Sequence, residues 1–255
     1  MKKVMIVLCI FIAIFTIIAS KHFYDHRVKT TALAAKEVLT EHAQIEELEN
    51  ERARQRLLTK NMDTNLANIV YQAIENNDKV NIVIVSSEFQ IATRWYDIFE
   101  SELHTHYRDD LFNLTVVEYN DKSSYQFVHE QHYNIILEKE PDVLIIDAFL
   151  LNDNGIYLIE DTLTNLDSII NEIKNNSDDL VVIVQPPHPM YDEGYYLAQV
   201  EKLEAHVSEK GYLYFDHWSN WPEFGYLTDN QPNLDGHKHW SEFITNYFIA
   251  NKKGN

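Results

Sequence analysis

Cysteine is nearly absent: Cys9 stands alone, inside an N-terminal apolar run. The rest of the chain can therefore form no internal disulfide and offers no thiolate nucleophile or zinc–thiolate site. Glycine is also scarce, with six residues, and no Gly-rich phosphate loop or dinucleotide fingerprint follows the first apolar strand-like run. Basic residues number 21 against 40 acidic ones, for a formal charge of −19. That field repels polyanions, so nucleic acid is not an expected partner, and the acidity reads as a solubilising surface. No His, Glu and Asp set has firm metal spacing, and neither a metal nor any other cofactor is expected.

Hydrophobic residues make up 45% of the chain and aromatic residues 12%, enough to offset folding entropy by burial. Lys2-Lys3 precede an uncharged run from Val4 to Ala19, about 16 residues long and therefore between a signal-peptide core and a spanning helix. Ile18-Ala19-Ser20 supplies small residues poorly for cleavage, which favours a retained signal-anchor over residues 1–28. The domain would then lie on the extracytoplasmic side, associated with the membrane through its N-terminal helix. Residues 29–77 hold no proline or glycine and are rich in helix formers such as Ala34-Ala35-Lys36-Glu37, and they read as a helical stalk.

From residue 78 to 255 short β-branched runs alternate with amphipathic stretches. The runs are Val80 to Val85, Leu114 to Val117, Val143 to Ile146, Leu180 to Val184 and Tyr212 to Phe215. The stretches are Ile91 to Leu103, Tyr125 to Glu138, Tyr157 to Lys174, Tyr195 to Glu209 and Trp240 to Ala250. This alternation predicts an α/β domain with a parallel sheet covered on both faces, and function beyond the carboxyl ends of the strands.

Three segments stand at such ends. Ser86-Ser87-Glu88 follows the first run, where a serine either presents its hydroxyl beside helix amides or caps the helix. Asn152-Asp153-Asn154-Gly155 follows the third run, as a carboxamide donor on a tight turn or as an ordinary loop. Asp229-Asn230-Gln231-Pro232-Asn233-Leu234-Asp235-Gly236-His237 precedes the last helix, where Asp and His could activate a serine or only set turns and pack. His188 in Pro186-Pro187-His188-Pro189 and His217 in Asp216-His217-Trp218 are further candidate bases on strand-end loops. Tyr191, Tyr195, Tyr196, Trp218 and Trp221 line a carbohydrate-sized groove or pack in the core.

The succession of Ser-Ser after the first strand, Asn-Asp-Asn-Gly after the third and Pro-Asn-x-x-Gly-His-x-x-Trp before the last helix resembles the SGNH/GDSL hydrolases. The likeness spans Val80 to Phe248 and implies a flavodoxin-like three-layer sandwich. It implies Ser87 as nucleophile, within Val85-Ser86-Ser87 where Gly-Asp-Ser or Gly-Ser-Ser is usual, and Asn152 as an oxyanion donor. The family's second block supplies a glycine amide, but Glu118-Tyr119-Asn120-Asp121-Lys122-Ser123 has no glycine, leaving Asn120 as an oxyanion or substrate-binding candidate. The fifth block's Asp-x-x-His-Pro-Asn places Gln231 where the base belongs. The base role then falls to His237, with Asp229 as its orienter, or to His188. The resemblance implies hydrolysis of an ester-bearing carbohydrate or lipid of the cell envelope, with a non-catalytic binding or assembly protein of the same fold as the alternative.

Overall fold

The computed structural model describes residues 2–250 except 88, 178, 191–193, 220 and 223. The chain divides into two units, 1–53 and 54–255. α1 (Lys2–Leu58) is continuous, as expected of a segment without helix breakers. Near its start Phe11, Phe15 and Ile18 are exposed, and this helix is long and apolar enough to cross a membrane or to serve as a signal sequence.

A 3₁₀ turn (Thr59–Asn61) leads into α2 (Thr64–Asn76), whose N-terminus is capped by the Asp63 carboxylate accepting from the Asn65 and Leu66 N–H groups. α2 buries Leu66, Val70, Ala73 and Ile74 in the core rather than serving as stalk. Burying Leu, Val or Ile stabilises by about 1.5–3 kcal/mol each. A boundary at residue 78 would strip several such contacts from a fold whose net stability is about 5–15 kcal/mol. The folded unit accordingly begins at Arg54.

The strands and helices then alternate: β1 (Val80–Ser86), α3 (Trp95–His106), β2 (Phe112–Glu118), α4 (Ser124–His129), α5 (Tyr133–Leu137), β3 (Val143–Asp147), α6 (Leu150–Asp153), α7 (Ile159–Lys174), β4 (Val181–Gln185), α8 (Gly194–Lys210) and β5 (Leu213–Tyr214). The five strands are parallel in the order β2-β1-β3-β4-β5. This is the flavodoxin-like order, with its switch point between β1 and β3. Side chains alternate across the sheet: Ile82, Ile84 and Ile145 pack with α2, α3 and the last helix, whereas Val83, Val85 and Ile146 pack with α7 and α8.

The C-terminal segment departs from the sequence expectation. β6 (Leu227–Thr228) and β7 (Gln231–Pro232) form a small antiparallel hairpin, with Asp229 and Asn230 both at positive φ (51° and 61°) in its two-residue turn. α9 (Leu234–Phe248) starts six residues earlier than the expected Trp240, because the Asn233 carboxamide accepts from the Asp235 and Gly236 N–H groups. A Cβ at Gly236 would lie 2.3 Å from the Tyr226 carbonyl oxygen, so only glycine lets the hairpin approach the helix so closely.

Candidate active site

The carboxyl ends of β1 to β4 and the β6–β7 hairpin enclose a cavity of about 430 Å³. Five of the seven site residues picked from the sequence line it: Ser87, Asn120, Asn152, His188 and Gln231. Phe89, Ile91, Leu151 and Pro232 supply an apolar wall. A larger cavity of about 720 Å³ lies at the opposite edge, against Asp78, Lys79, Asp142 and Gly211. That edge holds the amino ends of the strands and joins no serine to a histidine, so the smaller cavity at the switch point is the candidate.

The two adjacent serines face opposite sides of the sheet. Ser86, the last residue of β1, is fully buried and its hydroxyl donates to the Asp147 carboxylate at the end of β3. Asp147 also accepts from Gln185 Nε2, and Gln185 Oε1 accepts from Trp240 Nε1 at 3.3 Å. Burial pushes the Asp147 carboxyl up to about 7, against the lowering effect of Ser86, Gln185 and the Ser87 backbone N–H. Ser87 turns the other way, into the cavity, with its Oγ 2.9 Å from the Tyr119 hydroxyl. Glu88 lies outside the described residues.

His188 is 2% exposed, and its Nε2–H donates to the Asn230 carbonyl oxygen at 3.0 Å. That bond assigns the proton to Nε2, so Nδ1 carries a lone pair, and Nδ1 is buried without a hydrogen-bond partner. Burial lowers the ring's pKa to about 4 and keeps it neutral near pH 7. The loop holding it is pinned on three sides: His217 Nε2 donates to the Pro186 carbonyl, Trp218 Nε1 to the Pro187 carbonyl and the Tyr196 hydroxyl to the His188 carbonyl.

His237 and Asp229 do not line this cavity. His237 sits in the first turn of α9, fully buried, and its Nδ1 accepts from the Trp95 N–H at 3.2 Å. Its pKa falls to about 4, first through burial and then through the nearby His188. Asp229 is exposed in the hairpin turn, and it is the Asn230 carbonyl that meets a histidine. The expected pairing of His237 with Asp229 is thus replaced by one of His188 with a backbone carbonyl. Asn152 lines the cavity, but its amide donates to the Asn120 and Lys122 carbonyls at 2.8 and 3.0 Å. The adjacent Asp153 is buried and accepts from the Ser124 N–H at 2.9 Å and from the Thr162 hydroxyl at 2.6 Å, anchoring this turn.

The described members of the expected aromatic set do not line one groove. Tyr196 is fully buried, Trp218 and Trp221 pack against Tyr196 and His217, and Tyr195 is exposed on α8; Tyr191 lies outside the described residues. His217 stacks on Trp240 at 4.1 Å and its pKa drops to about 3 through burial. Among the described residues, no group of three His, Cys, Asp or Glu is placed to hold a metal ion. Tyr119, Asp147 and Gln185 were not picked from the sequence; their position just past or at the ends of three strands was the available signal.

No family model matches the sequence, and no curated protein matches it. Solved structures do match. A G-D-S-L family protein from Desulfitobacterium hafniense aligns at TM-score 0.53 with 16% identity, over 66% of this chain and 99% of that one. A carbohydrate esterase family 3 protein from Talaromyces cellulolyticus aligns at TM-score 0.56 with 13% identity, over 65% and 94%. An acetyl-xylooligosaccharide esterase from a Geobacillus aligns at TM-score 0.52 with 10% identity, over 66% and 94%. These define the class as a flavodoxin-like α/β sandwich. The chain has the SGNH/GDSL hydrolase fold.

Proposed function

We propose that this protein is a serine ester hydrolase in which Ser87 is the nucleophile and His188 the general base, oriented by the Asn230 carbonyl. The observation that carries the reading is the shared cavity of Ser87 and His188, with His188 Nδ1 left as a buried free acceptor. Gln231, at the position of the family's base, has no useful basicity, so the proton must pass elsewhere. The Ser87 proton passes to His188 Nδ1 as Oγ bonds to the acyl carbon. Collapse then breaks the acyl carbon–alkoxy bond, and His188 returns the proton to the leaving alcohol. Water, deprotonated in turn by His188, releases the acid and restores Ser87.

The cavity wall supports an acylated carbohydrate over a lipid as substrate. Gln90, Asn120 and Gln231 line it with carboxamides suited to hydroxyl groups, and among the described residues no lysine or arginine lines it to hold a phosphate or carboxylate. The exposed apolar start of α1 supports anchoring in a membrane, and the signal-like character of that start is what favours an extracytoplasmic position for residues 54–255. A second reading, a binding or assembly protein of the cell surface, is favoured by the engaged Asn152 amide and by Gln231.

Fluorophosphonate labelling of carbonate-washed membranes tests these readings together, because only an activated serine reacts. The expected result is a labelled full-length band in the pellet that disappears in Ser87→Ala. An unlabelled wild type would favour the binding protein, and a shortened labelled form in the supernatant would replace the anchor with a cleaved signal.

A further inference from the structure

We propose that the Tyr119 hydroxyl is an oxyanion donor of this site, at the start of the segment that lacks the family's block-two glycine. The inference rests on Ser87 being the nucleophile. Tyr119 is the first residue after β2, and its N–H donates to the Ser86 carbonyl at 3.0 Å, which sets it beside Ser87. The side chain is 1% exposed, with its ring against Phe149 at 4.4 Å and its hydroxyl 2.9 Å from Ser87 Oγ.

A phenol has one proton to give, and Ser87 Oγ is the acceptor in reach of this one. Were Ser87 the donor instead, the buried Tyr119 proton would be left without an acceptor among the described residues, at a cost of about 1–3 kcal/mol. Tyr119 is therefore the donor, and the Ser87 proton is free to face the cavity and its base. Two other donors beside Ser87 are engaged: Asn152 gives its amide hydrogens to the Asn120 and Lys122 carbonyls, and the Ser87 N–H is turned toward Asp147.

As Oγ bonds to the acyl carbon, the carbonyl π pair moves onto the carbonyl oxygen next to it. The Tyr119 O–H swings from Oγ to that oxygen without giving up its proton, and swings back when the tetrahedral centre collapses. Such donors act at about 2.7–3.1 Å from the oxyanion. Burial holds the phenol well above its ordinary pKa, so it stays protonated through the alkaline range.

The experiment compares full-length wild type, Tyr119→Phe and Ser87→Ala on p-nitrophenyl acetate and on its thiono analogue, whose sulfur is a poor hydrogen-bond acceptor. Tyr119→Phe is expected to lower kcat on the oxygen ester by about 10²–10³-fold with KM nearly unchanged. It should also shrink the wild-type preference for oxygen over sulfur, which a merely structural role for Tyr119 would not do. If Tyr119→Phe does not fold, 3-fluorotyrosine at this position provides the second variant, and a kcat indifferent to the stronger donor would overturn the proposal. Unchanged kcat and unchanged preference in Tyr119→Phe, with Ser87→Ala inactive, overturn the tyrosine alone. A wild type that neither hydrolyses nor labels overturns the nucleophile and the tyrosine together.

Discussion

The loop Pro186–Pro189 and the segment Asp229–Trp240 each carry a buried histidine, and the two make opposite use of it. In the proline loop, His188 gives its only proton to a carbonyl and keeps a free lone pair on Nδ1 beside the cavity. In the C-terminal segment, His237 spends its Nδ1 lone pair on the Trp95 N–H, so its Nε2 carries the proton and cannot act as a base while that bond holds. Both rings are neutral near pH 7 because burial lowers their pKa to about 4. The backbone partner, rather than nearness to the family's motif, decides which ring can accept a proton.

The largest effect that could break this contrast comes from His188. Replacing it by alanine removes the proposed base, and general bases contribute about 10²–10⁴-fold. Turnover of p-nitrophenyl acetate by His188→Ala should fall within that range, with KM less affected. A variant retaining more than about a tenth of wild-type kcat would move the base elsewhere.

A smaller effect is expected from pH. The base must be unprotonated, and its depressed pKa places the acid limb of kcat/KM near 4 rather than near 6.5. At pH 5 a base of ordinary pKa would be about 30-fold depleted in its active form, whereas His188 would remain mostly neutral. The pH–rate profile should therefore stay high down to about pH 5, and an acid limb at 6–7 would count against His188. Asp147, held near 7 by burial, sits behind Ser87; an inflection there that vanishes in Asp147→Asn while the limb near 4 stays would belong to it.

The sheet was legible in the sequence because its three central strands are buried on both faces and read as unbroken β-branched runs; Val80–Ser86 and Val143–Asp147 fall within a residue of expectation. The stretch from Tyr125 to Glu138 was not, since Gln131 at φ 56° breaks it into two short helices. The Leu66, Val70, Ala73, Ile74 spacing that ties α2 to the core was present at i, i+4, i+7 and i+8, but the absence of helix breakers upstream merged it with the stalk. That Ser87, Asn152, Asn120, His188 and Gln231 line one cavity was legible from their places after strands and before the last helix. His237 reads as a loop residue in the sequence but is a buried helical one in the structure, because the carboxamide of Asn233 starts the helix early. Tyr119 carried only its place after a strand as a signal, and a tyrosine there is ordinary until its hydroxyl is seen against a serine.

The smallest expected effect on turnover belongs to His237. If its role is to satisfy the Trp95 N–H at the first turn of α3, His237→Ala should leave kcat within about 3-fold while leaving that buried donor unpaired, at about 1–3 kcal/mol beside the cost of the vacated space. For a unit of this size each kcal/mol corresponds to roughly 2–4 °C in Tm, so thermal unfolding should report the loss. His237→Asn restores an acceptor near the position of Nδ1 and should recover part of the lost Tm with no change in kcat. The catalytic alternative predicts a different pattern, in which neither alanine nor asparagine supports turnover at any temperature where the protein is folded. Comparing kcat and Tm across the two variants thus separates a histidine that holds a helix start from one that moves a proton. The same pair of substitutions at His188 should give the reverse result, because there kcat depends on the basicity of the ring and no carboxamide can replace it.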